Sequence, residues 1–139
     1  MDARVREVLR RAHFEPHPAR FAIVGLPARA DTTVMHLGPW SAALQTGDEV
    51  TYVLPEQDWD RAAARFPDAK VERGWRLIAV QVKMPWELAG MLAALTGALA
   101  QRGIPCSVLC TFSTDHILVP EARLQEALKA LRALRTERV

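Results

Sequence analysis

WRLIAVQVKMPWELAGMLAALTGALAQRG, residues 75–103, is the stretch whose reading decides the fold. Its first part alternates. Ile78, Val80 and Val82 point one way and Gln81 and Lys83 the other, which is the period of a strand with one buried face. Met84-Pro85-Trp86 breaks the alternation as a turn. Leu88 to Ala100 is then the longest apolar run in the chain, interrupted only by Gly and Thr. A bilayer span needs roughly 20 apolar residues, so the run predicts a buried helix over 87–102, with Gly103 in the position that ends helices. A helix apolar almost all round expects cover on more than one side.

Downstream, Ile104 to Phe112 reads as a strand, with Pro105 near its start, where a missing N–H is tolerated. Ser113 to Asp115 makes a tight turn, and His116 to Val119 returns as a strand. Pro120 opens a last helix with Leu124, Ala127, Leu128, Leu131 and Leu134 on one stripe. Residues 75–139 therefore read β-α-β-β-α. Upstream, Arg20 to Leu26 is a strand closed by Pro27, and 28–39 is irregular. Trp40 to Gln45 and Glu49 to Leu54 flank Thr46-Gly47-Asp48, a hairpin signal. Glu56 to Arg65 is a short helix with Trp59, Ala62, Ala63 and Phe66 inward. At the front, Asp2 caps an amphipathic helix carrying Val5, Val8, Leu9 and Ala12, and Pro16 and Pro18 mark His13 to Ala19 as a linker. The expected organisation is an N-terminal helix and linker at 1–19, a reduced unit at 20–74 and a fuller unit at 75–139. Antiparallel strands with helices packed on one face make this an α+β fold of the ferredoxin-like kind.

Composition narrows the function classes. The chain has 139 residues, 50% of them hydrophobic, and a formal net charge of +2, ample for a core and too even for an electrostatic binder. Its basic residues gather only at the two ends, Arg4, Arg6, Arg10 and Arg11, then Lys129, Arg132, Arg135 and Arg138. Both groups are interleaved with apolar residues at helical spacing, so they read as solvated helix faces and not as a nucleic-acid footprint. The strand at 75–83 lacks the aromatic pair across adjacent strands that an RNA-binding sheet uses. The first eleven residues carry charges where a secretory leader has an apolar run. With no membrane span, the expected location is cytoplasmic.

Two cysteines four residues apart on a strand, Cys106 and Cys110, lie about 13 Å from each other, too far for a disulfide or a shared metal. They read as small buried hydrophobes. The histidines, His13, His17, His36 and His116, stand in unlike contexts, and no nucleophile-base-orienter set, phosphate loop or metal-ligand run accompanies them. The chain is thus expected to have no catalytic residues, no metal and no cofactor.

Four ordered segments carry a resemblance. Arg20-Phe21-Ala22-Ile23-Val24 with Leu26-Pro27, Glu49-Val50-Thr51-Tyr52-Val53-Leu54-Pro55-Glu56, Val71-Glu72-Arg73-Gly74-Trp75-Arg76 and, most clearly, Thr111-Phe112-Ser113-Thr114-Asp115-His116-Ile117-Leu118-Val119-Pro120 resemble small bacterial tandem ACT-domain proteins. That group includes relatives of the eukaryotic cytosolic arginine sensors for the TOR pathway. The resemblance runs from about residue 15 to the C-terminus, leaving the helix at 2–12 outside. It implies two ACT-like units in one chain, a homodimer, and a non-enzymatic regulatory role with an amino acid bound at an interface between ACT units. An assembly module that pairs ACT units and binds nothing small is the alternative.

An amino acid brings an ammonium that needs a carboxylate and a carboxylate that needs N–H donors. A helix N-terminus supplies such donors. The turn Met84-Pro85-Trp86-Glu87 is expected to start the helix, with Gly90 letting a ligand approach its first turns. By the family match Asp115 is the ligand-contacting acid, with Thr111, Ser113 and Thr114 as polar neighbours. Two positions depart from the family: Glu87 and Ala89 stand near the helix start where small hydroxyl residues are usual, and Ala42-Ala43-Leu44 replaces a serine-containing strand. Glu87 favours the helix dipole but is expected to repel a ligand carboxylate.

Overall fold

The computed structural model describes residues 1–136; Arg138 lies outside them. The elements run α1 (Ala3–Arg11), β1 (His13–Pro27), β2 (Ala42–Thr46), β3 (Glu49–Pro55), α2 (Glu56–Ala62), β4 (Lys70–Gln81), α3 (Met91–Ala100), β5 (Ser107–Cys110), β6 (Asp115–Pro120) and α4 (Leu124–Ala133). The chain forms two compact units. The larger holds Met1–Pro18 and the described residues from Arg76 on, and the smaller holds Ala19–Trp75. The long strands β1 and β4 each pass from one unit into the other.

In the smaller unit the strand order is β2-β3-β1-β4. The β2–β3 hairpin is antiparallel and turns at Gly47, whose φ of 54° suits a residue without Cβ. β3 pairs antiparallel with β1 from Phe21↔Pro55 to Pro27↔Glu49. The face carrying Ala22, Val24 and Leu26 with Val50, Tyr52 and Leu54 is buried under α2, where Trp59 is 2% exposed and stacks on Phe66 at 6.1 Å.

In the larger unit the order is β1-β4-β6-β5. Taking β4 first, then β5, β6 and finally β1 as the closing strand, this is the spatial arrangement that β1, β2, β3 and β4 make in the smaller unit. The larger unit has α3 between its first two strands, where the smaller has the irregular segment 28–41. Its core is one sheet face under three helices. Phe14, Ile78, Val80, Ile117 and Val119 from the strands meet Val5, Val8 and Leu9 of α1, Met91, Leu95 and Leu99 of α3, and Leu124, Ala127, Leu128 and Leu131 of α4. The α+β class, with an antiparallel sheet and packed helices, is as the strand and helix periods indicate.

Several boundaries differ from the sequence reading, each for a physical reason. The segment His13–Ala19 is the opening of β1 and not a linker. Proline fixes φ in a range that extended chain also uses, and it pushes the residue before it toward extended conformations. Pro16 and Pro18 are two apart, so their missing donors fall on one edge, and β3 pairs with β1 only from Phe21 onward. α1 is not an appendage, since Val5, Val8 and Leu9 are core residues of the larger unit. β4 starts at Lys70, with Gly74 at φ 76° just before the unit boundary. α3 starts at Met91, four residues later than expected. It is also covered on one side only: Met91, Leu95 and Leu99 are buried while Leu92 is 41% exposed. The rest of its outer side is mostly Ala, Thr and Gly, which leave water little apolar surface to contact.

Candidate functional site

β4 ends at Gln81, and residues 82–90 lead to α3 without regular structure. The Leu88 N–H bonds back to the Pro85 carbonyl at 3.1 Å, making a turn. Gly90 occupies the cap position at φ 104°, a left-handed conformation that side chains resist. It offers no side-chain cap, and the helix proper begins with the Ala94 N–H bonded to the Gly90 carbonyl at 3.0 Å. The N–H groups of the first turn, at Met91, Leu92 and Ala93, are those that helix geometry leaves without an intrahelical acceptor. No acidic side chain sits in that turn.

The second wall is the turn between β5 and β6. The strands pair from Ser107↔Leu118 to Cys110↔Asp115. Thr111 closes the turn three ways: its N–H donates to the Thr114 carbonyl at 2.9 Å, its hydroxyl donates to the same carbonyl at 3.0 Å, and that hydroxyl accepts from the Thr114 N–H at 3.2 Å. The turn holds its own geometry and throws Phe112 out to 83% exposure.

The two walls enclose a cleft of about 340 Å³, at the small end of the range that binds small molecules, about 300–1,000 Å³. Trp86, Gly90, Thr111, Ser113, Thr114 and Asp115, separated by up to 29 positions in sequence, all line it. They are joined by residues that sequence reasoning did not select: Met84, Leu88, Met91 and Leu92 on the apolar side, and Cys110 and Phe112 on the turn. Phe112 stands beside Thr111 in the quoted motif, and its aromatic side chain in a turn was the available signal. Across the cleft the Trp86 and Phe112 rings meet edge to face with centroids 5.2 Å apart. Glu87 is exposed and is not among the residues lining the cleft, although its neighbours Trp86 and Leu88 are. The helix starts past it.

The electrostatics of the cleft are sparse. Its ionisable groups are Asp115 and Cys110, with no Lys, Arg or His among the lining residues. Loss of solvation pushes the Cys110 thiol up to about 11, and the Asp115 carboxylate, hydrogen-bonded to it, adds to the rise. The thiol is therefore protonated at neutral pH. Cys110 is exposed as a residue, and Cys106 is only partly covered, which corrects the reading of both as buried hydrophobes. Among the described residues, no group of three or more His, Cys, Asp or Glu could hold a metal ion, and no helix is long and apolar enough to cross a membrane.

Against known proteins, the family model for the ACT domain matches residues 70–133. The fold is similar to that of a Vibrio cholerae protein of unknown function, described as a possible transport protein, with 23% identity over 95% of this chain and 96% of that one and a TM-score of 0.75. It is similar to an Agobacterium tumefaciens protein with 23% identity over 84% of each chain and a TM-score of 0.67. It is also similar to the ligand-free regulatory subunit of aspartate kinase from Thermus thermophilus, with 9% identity over 87% of this chain and 95% of that one and a TM-score of 0.66. These likenesses carry the fold. No curated protein matches the chain.

Proposed function

We propose that this protein is a non-enzymatic regulatory domain that binds an amino acid in the cleft between the α3 start and the β5–β6 turn. The supporting observation is the pairing of opposite needs on the two walls. Asp115 supplies a carboxylate for an ammonium, and the uncapped first turn of α3 supplies N–H groups for a carboxylate. Both walls lie within residues 70–133, the part of the chain that the ACT-domain model matches, which supports the reading. Within this reading the protein acts as a cytoplasmic homodimer, a second copy helps to close the site, and no cofactor or nucleic acid takes part. Kinship with the arginine sensors of the TOR pathway belongs to the same proposal, resting on the ordered motifs from Arg20 to Pro120.

Thermal unfolding across the twenty amino acids tests it. A ligand at 100 times its Kd adds about 2.7 kcal/mol to stability, and Asp115→Ala should remove the gain. A gain that survives Asp115→Ala excludes this cleft. A flat panel from a protein that light scattering shows to be a clean dimer replaces the sensor with a ligand-free assembly module.

A further inference from the structure

We infer that the amino acid taken by this cleft carries a large uncharged apolar or aromatic side chain. The inference rests on the binding role proposed for the same cleft, and it follows from what the cleft lacks as much as from what lines it. This chain lines the cleft with no Lys, Arg or His, so it offers an acidic side chain no partner of its own, and Asp115 would repel one. Basic side chains fare little better. The one carboxylate is needed for the α-ammonium, and the thiol of Cys110 stays neutral, so a second cation would lose its hydration with no anion in return. Small polar side chains would leave the apolar wall of Met84, Leu88, Met91 and Leu92 wet.

The aromatic pair points the same way. Trp86 is 75% exposed and Phe112 83% exposed, yet they are held against each other at the cleft. Large aromatic surfaces left in water are unfavourable, and an apolar ligand side chain laid against them covers both. Edge-to-face geometry leaves the face of one ring open for stacking or for aliphatic contact. Arginine, the ligand suggested by resemblance to the TOR-pathway sensors, has a planar cation that could also stack on such a ring, so the experiment must set the two against each other.

Calorimetric titration of the full chain with phenylalanine, leucine, methionine, arginine and glutamate, one at a time, makes the test. The expected result is binding of one or more of the three apolar amino acids, at least about tenfold tighter than arginine or glutamate, with the affinity reduced about tenfold or more in the double variant Trp86→Ala, Phe112→Ala. Both positions are exposed, so the variant keeps its core. Arginine or glutamate binding most tightly, and lost in Asp115→Asn, overturns the side-chain class while leaving the amino-acid site standing. Apolar binding unchanged in the double variant overturns the aromatic contact. No binding by any of the five, while another amino acid stabilises the wild type but not Asp115→Ala, likewise overturns the class alone. No response to any amino acid brings down the class and the site together.

Discussion

Cys110 and Asp115 are the last pair of the β5–β6 ladder, and the Asp115 carboxylate adds to the loss of solvation that raises the Cys110 thiol. The pair is a reporter built into the cleft. Replacing Asp115 by Asn removes the acceptor charge, so the thiol's affinity for its proton should fall. Alkylation of Cys110 by iodoacetamide at pH 8 to 9, followed by mass spectrometry in a Cys106→Ser background, should speed up. Each unit by which the thiol's pKa drops multiplies the reactive thiolate about tenfold at a pH below both values. An unchanged rate would mean that the loss of solvation alone sets the thiol.

Gly90 is a conformational requirement before it is a binding element. At φ 104° a Cβ is strained, and it would also sit 3.4 Å from a Val5 methyl. Gly90→Ala should lower stability by about 1–2 kcal/mol through backbone strain, visible as a reduced urea midpoint with an unchanged slope. A variant as stable as the wild type would show that the α3 start can relax into an ordinary helix entry.

His17 and Arg76 couple the larger unit to pH. The Arg76 guanidinium donates to the His17 backbone carbonyl at 2.9 Å. Burial, and after it the charge of Arg76, lowers the His17 pKa. The sign follows: the folded state binds this proton less readily than the unfolded state, so stability is complete above about pH 6.5 and declines as pH falls through the lowered value. His17→Gln should flatten stability between pH 7 and 5. By NMR, the His17 imidazole should titrate below 6.5 in the wild type and rise in Arg76→Met, where the positive charge is gone.

Leu95 is fully buried among α1, α3, α4 and the sheet. Leu95→Ala should cost about 2–5 kcal/mol, since the removed contacts leave a cavity that three helices and a sheet cannot jointly close. Denaturant unfolding measures it. The matching change on the outer side of the same helix, Leu92→Ala, should cost under about 1 kcal/mol because Leu92 is already 41% exposed and lies outside the core. The contrast between two leucines three positions apart checks that α3 buries one face only.

How much of this was legible in the sequence depends on the range of the interactions that decide each feature. The Gly47 turn and the 124–134 stripe are local patterns, and each appears as the element its period predicts; the alternation from Ile78 appears as β4 only as far as Gln81, with Leu77 and Ala79 on the other face buried as well. The stop at Gly103 is local too: its φ of 64° is the conformation that ends a helix there. Pro16 and Pro18 misled because proline is a breaker only where its missing donor is needed, and whether β1 has a partner on that edge is a question about β3. The start of α3 misled because Glu87, Leu88 and Ala89 have good helix propensity, while the turn from Pro85 to Leu88 and the left-handed Gly90 are held by surroundings that include α1.

Thr111, Ser113, Thr114 and Asp115 were named by likeness to a family and Trp86 and Gly90 from the expected helix start, and periodicity could not have grouped the six. Sequence by itself offered the materials: one carboxylate near a turn, one helix following the Met84–Trp86 turn, and apolar residues between. Only the tertiary structure decided that Met84 to Ala93 and Cys110 to Asp115 face one another. Strand order brings β6 beside β4 and β5 beside β6, and that order is set by which apolar faces can share one core, a sum over the whole unit that no window along the chain contains.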